Sequence, residues 1–374
     1  MEIGFDTMRP FTHFLPTTLV FGEGTAARFR ELLPPSSGTL MFVTGEKSAE
    51  ISGALDILTR QTEDLSVVRF TGVEENPGFA TLARGAQVAR ENKVDLVVGI
   101  GGGSSMDAAK GIAVTATSRS EMKDHMSGLE LTRDPLPVVC IPTTSGSGSE
   151  TTPYAVFSDR QSLDKGGFSH PKIYPRFSIV DPGFTYTMPR TVRINTGVDA
   201  LTHGLEAYLS LKSSPLSDLL ALQAIEGVLS ALPAAAGGAR PAMQRMSYHA
   251  MVAGMAIAQA GTIFLHALGY PLTAVHQIPH GRANAIMLPA FLRFMRKRSA
   301  AAGKLAKIEG IMAKAGGCER FLQDLGIATR LSEYKIRADE IEGFARKTIG
   351  KANLKITPAE VTESTICRVY RDAL

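Results

Sequence analysis

Residues 95–110 read Asp95-Leu-Val-Val-Gly-Ile-Gly-Gly-Gly-Ser-Ser-Met-Asp-Ala-Ala-Lys110, and this stretch decides the fold. Asp95 to Ile100 is a short, nearly uninterrupted apolar run, the pattern of a strand buried on both faces. It passes directly into the triplet Gly101-Gly102-Gly103 and then into a helical period that begins near Ser104. Glycines at a strand end let backbone N–H groups approach a phosphate without steric clash. The helix that follows adds its N-terminal partial positive charge at the same point. The stretch is neither the G-x-G-x-x-G fingerprint nor a Walker loop, because no Gly-Lys-Ser/Thr follows.

The surrounding sequence repeats the same alternation. Thr39–Thr44, Ser66–Thr71 and Leu136–Ile141 are further apolar runs of strand length, and Phe79–Asn92 has the period of an amphipathic helix. A helical stretch is expected from Glu46. Buried runs separated by helices indicate a doubly wound parallel sheet covered on both faces, a Rossmann-like α/β arrangement. Leu136–Ile141 ends in Pro142-Thr-Thr-Ser-Gly-Ser-Gly-Ser-Glu150, a loop rich in hydroxyl donors. Two such loops at neighbouring strand ends fit a nucleotide cleft at the carboxyl edge of the sheet. Lys165, in a hairpin expected after Val156-Phe-Ser-Asp159, adds a cation there.

Beyond Asp181 the texture changes. Strand-like runs end, and Ala, Leu, Met and Gly fill long helical periods from Asn195 onward. The chain has 374 residues, more than one hydrophobic core usually supports, so two domains are expected. The division is an α/β domain over 1–182 and an all-helical domain over 183–374. The longest apolar tract, Met251–Leu268, contains Gln259 and His266, falls short of a clean membrane span and reads as one buried helix.

Composition narrows the class. Hydrophobic content of 44% and charged content of 20% are those of a soluble globular protein. The net charge is only +4, and the one basic cluster, Arg293–Arg298, reads as a solvated helix face, so neither nucleic acid nor membrane is an expected partner. Three widely spaced cysteines, Cys140, Cys318 and Cys367, suit no disulfide framework and fit a reducing cytoplasm. The opening Met-Glu-Ile-Gly-Phe-Asp carries acids where a signal peptide carries bases and an apolar core.

The helical half holds a second kind of signal. In Gly197-Val-Asp-Ala-Leu-Thr-His203, Asp199 and His203 lie four residues apart, on one face of a helix expected to run through Tyr208. Carboxylate and imidazole so placed make half of a divalent-metal site, and His266 and His280 offer the other half. One carboxylate with three imidazoles suits Fe(II), Zn(II), Ni(II) or Co(II) better than Mg(II) or Ca(II). The plainer alternative is a helical hydrogen bond or surface pair. The small apolar neighbours Ala200, Leu201, Leu205 and Ala207 speak against a solvated surface.

Taken together, these motifs resemble the iron-containing, or group III, alcohol dehydrogenases. The resemblance runs through Phe21-Gly-Glu-Gly24, Gly101-Gly-Gly-Ser104 with Asp107 and Lys110, and Pro142 to Glu150. It continues in Ile179-Val-Asp-Pro182, Gly197 to His203 and Pro279-His-Gly-Arg-Ala-Asn-Ala285, and becomes generic after about residue 290. It implies a dehydroquinate synthase-like architecture, with iron (or zinc or nickel) held by Asp199, His203, His266 and His280. It implies a nicotinamide cofactor, NADP or NAD, touching Asn76, Gly102, Gly103, Ser104, Thr143, Thr144, Ser147 and Lys165, with Asp107 organising the loop. The implied activity is hydride transfer between NAD(P)H and a small alcohol, aldehyde or ketone.

Two positions set this chain apart. Four residues after His266, where many members carry another histidine assigned to proton relay, stands Tyr270, a poor base at neutral pH. After Thr39–Thr44, where NAD-preferring relatives commonly place an aspartate, stands Gly45. Its lack of a carboxylate removes repulsion of a 2′-phosphate, and Lys47 and Ser48 follow closely, so NADP is expected unless Glu46 turns inward. A hydroxyacid–oxoacid transhydrogenase, a maleylacetate reductase-like enzyme and a dehydroquinate synthase-type lyase are the alternatives within the fold, and a non-catalytic nucleotide sensor lies outside it. Phe11–Val20 reads as an extended strand able to pair with another copy, and the resemblance also implies dimers or larger oligomers.

Overall fold

The computed structural model describes residues 10–35, 37–297 and 299–374; the acidic opening segment and Arg298 lie outside them. Among the described residues six strands form one parallel sheet: β1 (Thr18–Phe21), β2 (Thr39–Thr44), β3 (Ser66–Phe70), β4 (Leu96–Gly101), β5 (Val138–Pro142) and, after a hairpin, β8 (Phe177–Val180). The hairpin is β6 (Tyr154–Asp159) with β7 (Asp164–Ser169), paired antiparallel. The spatial order is β1-β8-β5-β4-β2-β3. From β2 the chain goes outward to β3 and returns past β2 to β4, so the winding reverses between β2 and β4. That is the doubly wound arrangement with its crevice at the carboxyl ends of those two strands.

The alternation of strand side chains divides the core into two layers. Met41, Val43, Val97 and Cys140 point to one face, where α1 (Phe79–Glu91) and α2 (Gly103–Thr117) cover them. Leu40, Phe42, Val98, Ile100 and Ile141 point to the other, against Phe29, Leu55 and Leu58 of short helical turns. Gly99 sits mid-strand because α2 passes close: a Cβ there would lie 2.9 Å from the Met106 Cα.

Among the described residues no strand follows β8. The remainder is built on α3 (Arg190–Leu209), α4 (Pro215–Ala236), α5 (Arg240–Ala260), α6 (Phe264–His276), α7 (His280–Arg296) and α8 (Ala302–Ala313), with shorter turns after them. Helix α3 is buried continuously from Gly197 to Leu209 and packs against α4, α5 and α7. Helix α4 starts at a capping box from Ser214 with Pro215 in the first turn. By length and a mean hydropathy of 1.6 it meets the requirements of a membrane span, yet it packs between α3 and α5. All three cysteines are free.

Two expectations need correction. Met251–Leu268 is not one helix: the chain breaks at Gly261, whose φ is 73°, and α5 and α6 meet at 111°. Phe11–Val20 is not one strand: among the described residues only Thr18–Phe21 is, pairing on one side with β8 and forming the edge of the sheet. The Phe14 backbone is instead gripped by a side chain, donating to Gln259 Oε1 at 3.0 Å and accepting from Gln259 Nε2 at 2.9 Å. Arg293, Arg296 and Lys297 are exposed, as expected of that cluster.

Candidate functional site: a cleft between the sheet edge and the helices

A cleft of about 1600 Å³ runs between the carboxyl edge of the sheet and the helices. Its sheet side carries Asn76, Gly102, Gly103, Ser104, Thr144 and Ser147, with Asp107 and Lys165 deeper in. The two loops meet closely: a Cβ on Gly103 would lie 2.8 Å from the Ser147 Cβ, and one on Gly102 3.3 Å from Thr144. The glycine triplet therefore serves loop packing as well as open access. Ser104 Oγ accepts the Asn76 N–H at 3.1 Å.

Two of the expected cofactor residues do not line the cleft. Thr143 is buried, and its N–H continues the sheet pairing to the Gly101 carbonyl at 2.8 Å. Gly45 caps the carboxyl end of β2, where a Cβ would meet nothing closer than the Val73 carbonyl at 3.5 Å. Glu46, Lys47 and Ser48 are exposed beside it.

Asp107 lies beneath the loops. It accepts the Ser149 hydroxyl at 2.7 Å and the Val156 N–H at 3.0 Å, tying α2 to the second loop and to the hairpin. Lys110, one turn on and fully buried, donates to the carbonyls of Ser149, Thr152 and Tyr154 and to the Ser149 hydroxyl. Lys165 is buried on β7 and donates to Asn76 Oδ1 at 2.7 Å. Burial lowers its pKa to about 8, against the pull of Asp199, Asp107 and Glu75.

On the helix side, Asp199, His266 and His280 converge until one ligand atom from each lies within 4.8 Å of the others. His203 stands beside them, stacked on His266 with ring centroids 4.9 Å apart. The surroundings fix the tautomers. His203 Nδ1 faces the Gly146 carbonyl at 3.2 Å, and His266 Nδ1 faces a Glu206 carboxylate oxygen. Both partners can only accept, so each Nδ1 carries the proton and each Nε2 keeps its lone pair. Bare nitrogens and a carboxylate gathered in a buried space repel one another unless a cation joins them, so the donor set fits a divalent metal. Burial lowers the pKa of His203 and pulls His280 far down, keeping both rings neutral. At His266 burial acts the same way, but the Glu206 charge outweighs it and the pKa is raised.

Tyr270 stacks on His280, centroids 5.6 Å apart and planes 20° from parallel. Burial, together with Glu206 and Asp199, pushes its phenol above the ordinary range, so it keeps its proton at neutral pH. The Lys165 and Lys351 ammonium groups stand 5.9 and 6.0 Å from its ring centre.

Sequence reasoning missed Glu206 and Asn284. Glu206, three residues after His203, lies on the same helix face, and a lone acid in the apolar run Leu205–Leu209 was the available signal. Asn284, one turn after His280, places Nδ2 3.2 Å from Asp199 Oδ1, 3.4 Å from His266 Nε2 and 3.5 Å from His280 Nε2.

Comparison with known proteins bears on this geometry. The sequence pattern of iron-containing alcohol dehydrogenases matches residues 16–182, and that of the C-terminal part of the same family matches 193–374. The NADPH-dependent butanol dehydrogenase of Clostridium saccharobutylicum is 30% identical over 95% of this chain and 96% of its own. The crystal structure of an iron-containing alcohol dehydrogenase from Thermotoga maritima superposes with a TM-score of 0.90, at 36% identity over 98% of this chain and 99% of that one. A sulfoacetaldehyde reductase from Bifidobacterium kashiwanohense, solved in complex with NAD+, superposes with a TM-score of 0.88 at 28% identity, over 98% and 99%.

Proposed function

The chain belongs to the iron-containing alcohol dehydrogenase family, and from that membership we propose that Asp199, His203, His266 and His280 hold its divalent metal and that the two loops at the sheet edge hold its nicotinamide dinucleotide. It is a metal-dependent oxidoreductase acting on a small alcohol or the corresponding carbonyl compound. The observation that carries the assignment is the convergence of Asp199, His266 and His280 within 4.8 Å in the same cleft as Gly102 and Gly103.

When bound, the metal supplies Lewis acidity toward the substrate oxygen and the dinucleotide supplies or accepts the hydride. The residues of the chain do the rest. The backbone of Gly102 and Gly103, at the start of α2, offers N–H donors and the helix-terminal charge to the pyrophosphate. Thr144 and Ser147 would add hydroxyls, and the Lys165 ammonium, steadied by Asn76, would add a positive charge to the same cleft. His203 and His266 present bare Nε2 atoms because Gly146 and Glu206 hold their Nδ1 protons. Tyr270 keeps its proton, so its part is to wall the pocket beside His280 and donate a hydrogen bond, not to act as base.

For the dinucleotide, the absence of a carboxylate at Gly45, with Lys47 and Ser48 exposed beside it, supports NADP over NAD. The reading includes a nucleotide domain over 1–182, a helical metal domain over 183–374, assembly as at least a dimer, and a cytoplasmic location. Elemental analysis of anaerobically purified protein, with a panel of alcohols and aldehydes assayed on NADPH and NADH, tests the whole. A stoichiometric divalent metal and turnover that stops on chelation are expected. Full turnover after complete chelation would remove the metal assignment.

A further inference from the structure

Glu206 is fully buried on α3, and among the described residues no lysine or arginine pairs with it. An ionised carboxylate in that position is costly unless several donors converge on it. Three do. Its Oε1 accepts the backbone N–H of Ile263 at 2.8 Å and that of His266 at 3.2 Å, while Oε2 accepts the proton on His266 Nδ1.

The two backbone donors are free for a reason visible in the chain. A continuous helix through residue 261 would have bonded them to carbonyls one turn earlier. The break at Gly261 makes Ile263 and His266 the N-cap and third residue of α6, where N–H groups lack intrahelical partners. The acid that caps them comes from a different helix, and the same acid orients a ring on the turn it caps. Its negative charge also sits at the positive end of α6.

We propose that Glu206 is a positioning residue whose carboxylate fixes His266 as the Nδ1–H tautomer, so that Nε2 is bare toward Asp199 and His280 and ready to bind the metal. This rests on the metal reading of the preceding section. An acceptor-only group is what the place requires. A glutamine of the same shape has one oxygen and one NH2. The two fixed backbone donors take the oxygen, which leaves the NH2 facing Nδ1. The imidazole must then accept at Nδ1 and carry its proton on Nε2, where it cannot ligate.

That chemistry separates capping from tautomer control. In Glu206→Gln the cap on Ile263 and His266 survives, and the lock on the ring does not. We expect the variant to fold and to enhance NADPH fluorescence as the wild type does. Its affinity for Co2+, measured by competition with a chromophoric chelator, should fall about 10–100-fold, the usual cost of losing such a partner. Selective 15N-histidine labelling of the metal-free protein, at a pH high enough for the His266 ring to be neutral, reads the tautomer directly, with Nδ1 protonated in wild type and Nε2 protonated in the variant. Equal Co2+ affinity of the two proteins, or a wild-type His266 protonated on Nε2, overturns the proposal. The wild-type measurement stands even where the variant does not fold. A wild type that binds no divalent metal overturns the preceding metal reading instead, and the tautomer measurement still decides the role of Glu206.

Discussion

The carbonyl oxygen of Gly146 lies 3.2 Å from Nδ1 of His203. One belongs to the hydroxyl-rich loop after β5, the other to the central helix α3. The loop thus faces the cleft with Thr144 and Ser147 and, with its backbone, sets the protonation of a candidate metal ligand on the far side. The contact is possible because nothing intervenes. A Cβ on Gly146 would stand 2.6 Å from Thr196, and one on Gly148 2.5 Å from the Gly254 Cα.

Replacing His266 or His280 with alanine should remove metal and activity together. Loss of a direct ligand costs more than the roughly 10–100-fold seen for supporting residues. Metal analysis after gel filtration, with far-UV dichroism to confirm the fold, is the check. Full occupancy and turnover in either variant would show that the ligand set is misassigned.

Gly254→Ala should loosen the seat of the second loop. The new Cβ would lie 2.3 Å from Thr151 Oγ1 and 2.7 Å from the Gly148 Cα, so backbone must move. Overpacking of this kind costs about 1–3 kcal/mol. Denaturant unfolding should show the loss, and Co2+ affinity should drop with it as Gly146 withdraws from His203. A variant as stable as wild type would mean that the interface yields without strain.

Gly45→Asp should shift cofactor preference toward NADH. The site accepts a Cβ without a clash, so the effect reports charge and hydrogen bonding to the ribose, not misfolding. The quantity to follow is the ratio of kcat/KM for NADPH to that for NADH, which should fall at least tenfold. An unchanged ratio, with wild type already favouring NADH, would take Gly45 out of the choice.

Dinucleotide affinity should weaken as pH rises through about 8, the value to which burial lowers Lys165. Below it Lys165 is an ammonium facing an anionic ligand; above it that attraction fades by up to tenfold per unit. For folding the sign is opposite. The unfolded lysine keeps its proton up to about 10.4, so between the two values the unfolded state binds more protons and this group's contribution to stability increases with pH. NADPH fluorescence titrations from pH 6.5 to 9.5, in wild type and Lys165→Met, test the first. A wild-type profile as flat as the variant's would exclude the lysine from binding.

Sheet strands were legible wherever apolar runs were continuous: β2 has the expected bounds and β4 differs by one residue at each end. The short β1 and β8 were not read as a pair, because each is four residues long and their pairing joins distant parts of the chain. Asp199, His203, His266 and His280 were candidates from residue type, from the i,i+4 spacing of the first two and from the family resemblance, and the fold places all four along the cleft. Lys110 was quoted in a motif without a role, because nothing local shows that three carbonyls from residues 149–154 converge on it. The break at Gly261 escaped notice because hydropathy is blind to a single positive φ. Glu206 became intelligible only once that break was seen.

The pairing of Thr18–Phe21 with Phe177–Val180 has a kinetic consequence. Among the described residues, β1 is hydrogen-bonded within the sheet to β8 alone, so during synthesis it waits for about 160 further residues for that partner. At about 5–20 residues per second that is roughly ten to thirty seconds. Throughout that interval β2, β3, β4 and β5 can assemble, while β5 keeps a bare edge on the side that β8 will fill. An unpaired edge of valine and isoleucine is a template for association with other chains. The closing of the sheet is therefore a late, long-range event that waits on the arrival of β8.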